Sequence, residues 1–220
     1  EKEKAVRIVR INHSVVIPNP VSLGNQNGRC ENTDSFRRNI LFISRIHPKK
    51  GLELLLQALR ELISSYAEIH LLIAGAGERA YISRIRKIVQ EYNLEDKVQF
   101  LGFVQGKEKE ELFRQSDVFI LPSRDENFGI AAAEAMARGL PVIVSDQVGI
   151  SPEIQEYGAG LVVSCKADSI KEGLEKLIQD PALRSKMGEQ GRRLVREKFT
   201  WDKVASRLVG LYEEILAGKA

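Results

Sequence analysis

Two glutamates eight positions apart, Glu126 and Glu134, flank a glycine in the run Glu126-Asn-Phe-Gly129-Ile-Ala-Ala-Ala-Glu134. The stretch before them, Asp117-Val-Phe-Ile-Leu-Pro122, is apolar, β-prone and ends at a proline, which cannot donate to a sheet ladder. The stretch after them, Ile130 to Arg138, is alanine-rich and contains Glu134 and Met136, all good helix formers. The segment reads strand, turn, helix, with Glu126 on the turn and Glu134 in the second helical turn. A helix start offers free backbone N–H groups and the positive end of the macrodipole, which suits phosphate. Carboxylates beside it accept hydrogen bonds from hydroxyls. Such a site fits a ligand that is both anionic and polyhydroxylated. Two other readings stand beside it: an exposed loop acid with a dipole-favoured helix acid, or a glycosidase-like acid/base pair.

A second chemical stretch is Ser44-Arg45-Ile-His47-Pro-Lys49-Lys50-Gly51, between a strand pattern and a helix pattern. Arginine offers a planar fork to a diphosphate and lysine a mobile point charge, while Gly51 permits close backbone approach. A solvated basic surface is the competing reading; position at a strand's carboxyl end favours the functional one. Gly75-Ala-Gly77-Glu-Arg-Ala80 fits the G-x-G-x-x-A form of the dinucleotide fingerprint. That fingerprint also wants an acid ending the next strand, and the sequence there is Phe100-Leu-Gly102-Phe103-Val104-Gln105. A nicotinamide or flavin enzyme is disfavoured, and the glycines read as a tight turn beside a different ligand. His13, His47 and His70 are scattered; no metal cluster or nucleophile–base pair stands out.

These loops need elements to position them. Strand patterns fall at 14–18, 40–44, 69–74, 97–101, 117–121, 141–144 and 160–163, most of them continuous apolar runs of the kind buried on both faces of a parallel sheet. Helix patterns fall between them at 50–64, 78–92, 107–116, 129–138 and 167–179; Leu52, Leu55, Leu56, Leu59, Leu62 and Ile63 share one face of the first. The alternation predicts a Rossmann-like, doubly wound α/β domain, whose ligands bind at the carboxyl ends of the strands. Beyond it, Pro181 opens a helix to about Lys198, and Thr200 precedes another with an apolar stripe of Leu208, Leu211, Tyr212 and Ile215. That surplus suggests a surface packed on something else. Residues 22–35 are polar and turn-rich.

The 220-residue length permits one large domain or two small ones, and the apolar and charged fractions of 43% and 29% are those of a soluble globular chain. A net charge of +3, with the basic residues interspersed among acids, gives no argument for nucleic acid. No apolar run approaches a ~20-residue membrane span, and no signal-peptide pattern follows Glu1. Cys30 and Cys165 lie far apart and read as unpaired thiols in a reducing, cytoplasmic compartment.

Taken in order, these pieces resemble the C-terminal domain of retaining GT-B glycosyltransferases, the group related to glycogen synthases. The likeness starts at Val16-Ile-Pro-Asn19, passes through Ser44-Arg45, Lys50-Gly51, Gly75-Ala-Gly77 and Phe100 to Val104, and is strongest at Glu126-x7-Glu134. Ala137-Arg-Gly-Leu-Pro141 and Phe199-Thr-Trp201 extend it to the end. The resemblance implies that Arg45 and Lys50 bind the donor diphosphate, that Glu126 meets sugar hydroxyls, and that N–H groups of Asn127, Phe128, Gly129 and Ile130 hold sugar and phosphate. Glu134 would accept from the ribose; Gly75 and Gly77 would border the donor, and Phe103 and Val104 the nucleobase. It further implies a nucleotide-diphospho-sugar as substrate, no cofactor and no required metal, and a leaving diphosphate that assists acceptor deprotonation. Residues 1–200 would form the nucleotide-sugar-binding domain, and 201–220 a helix packing against an N-terminal domain absent from this chain. That half would carry the acceptor and any peripheral membrane association. Asn19-Pro20 departs from the family's Asn-Gly, stiffening that turn. A non-catalytic nucleotide-binding domain of the same fold is the alternative.

Overall fold

The computed structural model describes residues 15–24 and 38–217. Six strands form one sheet: β1 (Arg38–Ile43), β2 (Ile69–Ala74), β3 (Val98–Gly102), β4 (Val118–Leu121), β5 (Val142–Ser145) and β6 (Gly160–Val163). All pairings are parallel, in the order β3-β2-β1-β4-β5-β6. Helices alternate with them: α1 (Leu52–Leu62), α2 (Arg79–Glu91), α3 (Gly106–Gln115), α4 (Ile130–Ala137), α5 (Ser151–Tyr157) and α6 (Ala167–Gln179). Two more follow, α7 (Pro181–Leu194) and α8 (Trp201–Leu216).

Why these residues make these elements is mostly burial. Strands β4 and β5 are buried at every position, as apolar strands covered on both faces must be. Helix α1 buries Leu52, Leu55, Leu56, Leu59 and Leu62 and packs against α2 and α6. Helix α4 buries Ala132, Ala133, Ala135, Met136 and Ala137; its small side chains let it lie against α7 and the turn after it. Asp180 caps α7 by accepting from Leu183 N at 2.8 Å, with Pro181 in the first turn, where its missing N–H costs nothing.

Strand order reverses between β1 and β4, whose register pairs Ile40 with Val118 and Leu41 with Phe119. The two chains leaving that seam diverge to β2 and to β5. Outside their carboxyl ends lies the switch point, where doubly wound sheets take ligands.

Three expectations are corrected. Residues 15–18 are not a strand: Val15 and Val16 are about half exposed, and no sheet edge among the described residues pairs with them. What holds this segment is Val21, buried, whose N–H donates to Phe199 O at 2.8 Å. Helix α5 is an addition, because Ser151 to Tyr157 buries just Ser151 and Ile154, too few for a visible apolar stripe. The helix from Pro181 does not run unbroken to Lys198; it widens into a π-turn over Val195–Phe199. That extra width brings the Phe199 ring, 2% exposed, into the core. The turn-rich stretch 22–35 is described as far as Gly24; the rest, with Cys30 and His13, lies outside the described residues.

Helix α8 is different in kind. Among the described residues it buries Val204 and leaves Trp201, Val209, Tyr212, Ile215 and Leu216 more than half exposed. No helix among the described residues is long and apolar enough to cross a membrane.

Candidate functional site

The loop after β1 begins at Ser44, whose N–H donates to Ala74 O at 3.2 Å. Ile46 N donates to Ala76 O at 2.8 Å, and Ile46 forms an isolated parallel bridge with Gly77. The β1 and β2 loops thus continue side by side past the sheet. A Cβ on Gly75 or Gly77 would lie 1.8 or 2.1 Å from the carbonyl oxygen of Ser44 or Ile46. Packing of backbone on backbone therefore requires both glycines, with or without a ligand near them.

Arg45 is exposed, and among the described residues no acceptor takes its guanidinium. His47 ends the loop: its Nδ1 accepts from Lys49 N at 3.2 Å, starting a short 3-10 turn over Pro48–Lys50. The imidazole thus caps the turn's backbone. Gly51 closes the turn at φ 72° and opens α1. Behind it, the Glu53 carboxylate accepts from the Tyr81 hydroxyl at 2.8 Å. Burial first, and this carboxylate second, push the Tyr81 phenol well above its usual range, so it remains a donor and ties the starts of α1 and α2.

Across the seam, the turn after β4 meets this basic loop at several points. Arg124 N donates to Lys49 O at 2.7 Å, Lys49 Nζ pairs with Asp125 Oδ2 at 2.6 Å, and Lys50 Nζ pairs with Glu126 Oε2. The Lys50–Glu126 side chains are 12% and 22% exposed, whereas those of Lys49 and Asp125 are 58% and 43% exposed. The inner pair sits in lower dielectric, where its attraction counts; the outer pair is worth little. The β4 turn is also anchored from behind: the Ser123 carbonyl accepts from Ser145 Oγ and from the free thiol of Cys165 at 3.4 Å.

Residues 126–128 run parallel to the loop after β5. Glu126 N donates to Gln147 O at 3.2 Å, Gly149 N to Glu126 O at 2.8 Å, and Ile150 N to Phe128 O at 3.3 Å. Gly129, at φ 97°, then turns the chain into α4. Among the described residues, no acceptor takes the N–H groups of Asn127 to Ile130, so the orphan donors of this helix start stand beside Glu126. Asn127 and Ile130 are exposed. The Phe128 ring instead turns inward, edge-on to Phe199 at 5.3 Å, leaving its backbone rather than its side chain at the helix start.

Glu134 lies one turn further along α4, and it is not free. Lys109 Nζ on α3 donates to its Oε2 at 2.5 Å. Arg138 Nη1 donates to its carbonyl at 2.9 Å while the Arg138 fork grips Glu110. Phe103 and Val104 follow the end of β3, two strands from the seam and so roughly 10 Å away. Phe103 is 68% exposed, while the Val104 side chain is buried.

The structure thus brings Lys50, Glu126 and the α4 start together across the β1–β4 seam, with Arg45 on the same loop as Lys50, Gly75 and Gly77 packed against that loop, and Phe103 after β3 two strands away. Sequence reasoning missed Lys109, Asp125 and the Gln147–Gly149 loop. Lys109 shares a helix face with buried Phe113, four positions on, which is the one sequence signal that it points inward. No group of three or more His, Cys, Asp or Glu side chains suited to a metal ion forms among the described residues.

This arrangement can bind a diphosphate through cations and backbone donors, and hydroxyls through two carboxylates. Known proteins share this chain's sequence pattern and fold. An uncharacterized glycosyltransferase of Methanocaldococcus jannaschii is 35% identical over 176 residues, 79% of this chain and 44% of that protein. The GDP-mannose-dependent monoacylated alpha-(1-6)-phosphatidylinositol monomannoside mannosyltransferase of Corynebacterium glutamicum is 32% identical, covering 77% of this chain and 45% of that protein. Among solved structures, the sucrose-phosphate synthase of Thermosynechococcus elongatus superposes with a TM-score of 0.85 at 27% identity, over 99% of this chain and 57% of that one. The chain spans about half the length of the curated relatives it matches. The family model for glycosyl transferases group 1 matches residues 31–194. With the sheet order in place, the chain belongs to the group 1 glycosyltransferases and carries a Rossmann-like half of the GT-B fold.

Proposed function

We propose that this chain is the C-terminal, donor-binding half of a retaining glycosyltransferase that moves a sugar from a nucleotide-diphospho-sugar to an acceptor in polysaccharide or glycolipid synthesis. The observation that carries this reading is the meeting of Lys50 and Glu126 across the β1–β4 seam, beside the unpaired N–H groups of the α4 start. The seam thereby offers a cation, a hydroxyl acceptor and an anion cradle. The GDP-mannose dependence in the name of the corynebacterial relative supports a nucleotide sugar as ligand.

In this mechanism Arg45 and Lys50 bind the diphosphate and stabilise the charge that develops as it leaves, the main contribution of the chain to catalysis. Glu126 accepts from sugar hydroxyls and steers the ring, while Asn127 to Ile130 donate backbone N–H bonds to sugar and phosphate. Glu134 accepts from the ribose, and Phe103 and Val104 border the base. The leaving diphosphate takes part in deprotonating the acceptor, on the face the acceptor attacks. No metal is required. The acceptor and the rest of the catalytic face come from a second, N-terminal domain, against which the exposed stripe of α8 packs. Alone, this half transfers sugar slowly or not at all, because both reactants must be held together.

Calorimetry with UDP, GDP and ADP tests the reading. Binding of at least one is expected, and Arg45→Ala with Lys50→Ala should weaken it on the order of 100-fold or more, from two lost charge-assisted contacts. A folded protein that binds none of the three sinks the proposal. Nucleotide binding without sugar transfer by the two-domain protein would instead favour a non-catalytic binding domain.

A further inference from the structure

The Lys109–Glu134 contact has no part in the scheme above, yet it fixes one of the two carboxylates on which that scheme depends. Lys109 Nζ lies 2.5 Å from Glu134 Oε2, with the two side chains 25% and 23% exposed. The ammonium also lies 5.9 Å from the centre of the Phe113 ring, so its approach is set from two sides.

Holding α3 to α4 does not by itself explain this contact. Arg138 already joins the helices: Nε donates to Glu110 Oε2 at 2.7 Å and Nη2 to Glu110 Oε1, while Nη1 reaches the Glu134 carbonyl at 2.9 Å. Arg138 also lies 5.0 Å from the Phe113 ring. Arg138, at the C-cap of α4, thus ties the two helices through Glu110, and the Glu134 carboxylate is held separately by Lys109. A glutamate side chain has three rotatable bonds, and ordering it on ligand binding costs entropy. Here a charged donor orders it beforehand.

We propose that Lys109 is a positioning residue for ribose recognition: it fixes the Glu134 carboxylate and aims its remaining lone pairs at a vicinal diol. This rests on the donor-binding reading, which assigns the ribose to Glu134. A carboxylate offers about four acceptor positions. Lys109 occupies one on Oε2, leaving Oε1 and the rest of Oε2 for two hydroxyls. Without Lys109, a carboxylate three-quarters buried would lose its charged partner and its fixed rotamer together. Diol binding would weaken, whereas contacts to phosphate and base would not.

The test compares a nucleoside diphosphate with its 2′,3′-dideoxy analogue, by calorimetry on the 220-residue chain, using whichever of UDP, GDP and ADP binds best. Lys109→Met keeps the apolar stem and removes the charge. Its ribo-to-dideoxy affinity ratio is expected to fall about fivefold or more, with affinity for the dideoxy ligand changed less than about twofold. Lys109→Arg should restore most of the ratio. In a Glu134→Gln background, Lys109→Met should lower the ratio no further, since the two act on one contact. Lys109→Gln provides the same comparison if the methionine variant does not fold. An unchanged ratio in Lys109→Met, or tighter binding of the ribo ligand, overturns the proposal. Failure of the unaltered chain to bind any of the three nucleotides overturns instead the reading on which it rests.

Discussion

Gly51 and Pro122 touch across the β1–β4 seam: a Cβ added to Gly51 would lie 2.1 Å from the Pro122 carbonyl oxygen. Gly51 also sits at φ 72°, where a side chain is strained. The contact sets the distance between the basic loop and the Glu126 turn, since Lys50 immediately precedes Gly51.

Gly51→Ala should therefore destabilise the fold by roughly 2–5 kcal/mol, from a left-handed residue with a Cβ and a backbone clash. The corresponding drop in melting temperature is about 5–20 °C for a chain of this size. A melting curve within about 2 °C of the unaltered protein would contradict the close approach.

Glu126 is expected to read the sugar and leave the nucleotide to its neighbours. Glu126→Gln should lower the affinity ratio of nucleotide sugar to free nucleoside diphosphate by roughly 5–10-fold, about the worth of one charge-assisted hydrogen bond. Affinity for the free diphosphate should hold or improve, because Lys50 no longer has a carboxylate partner. Equal losses for both ligands would show that Glu126 acts through Lys50 alone.

Arg184 is 8% exposed, and its Nη1 donates to Leu177 O at 2.5 Å and Ile178 O at 3.0 Å. These are carbonyls of the last turn of α6, where a cation is favoured. Burial lowers its pKa and the Asp117 charge opposes that shift. Arg184→Ala should cost roughly 2–4 kcal/mol by leaving buried acceptors unpaired. Urea titration reads it as a lower midpoint with an unchanged slope.

Glu197 accepts from Arg193 Nε at 2.8 Å and from the Tyr157 hydroxyl at 2.8 Å. These two bonds, Arg193 first, hold its carboxyl below the usual 4.5. A depressed folded pKa contributes stability that is present above the unfolded value and is lost as pH falls through the folded one. Melting midpoints of the unaltered protein and Glu197→Gln should differ at pH 6 and converge as the pH is lowered past that range. A difference that persists in acid would assign the effect to something other than ionisation.

Much of the fold is legible in the chain because burial enforces it. The runs at 69–74 and 160–163 coincide with β2 and β6, since strands covered on both faces admit few polar residues. The run at 14–18 is also β-prone, yet its described residues 15–18 form no strand, which shows that β-prone residues need a pairing edge as well as a pattern. At the site, Glu126 and the start of α4 are legible from local turn chemistry. Lys109 is not, because its pairing with Glu134 depends on how α3 and α4 lie against each other. The inward turn of Phe128 is hidden for the same reason: its partner, Phe199, is set by a widened turn far along the chain.

The parallel run of residues 126–128 along the loop after β5 has a thermodynamic consequence. A loop already laced to its neighbour gives up little freedom when a ligand arrives, so its ordering entropy falls on folding instead of on association. A substitution at Gly149, whose Cβ would lie 1.9 Å from the Asn127 carbonyl oxygen, should therefore act through the mobility of the Glu126 turn, showing up as faster ligand dissociation and a larger entropic penalty even where no ligand-contacting atom has changed.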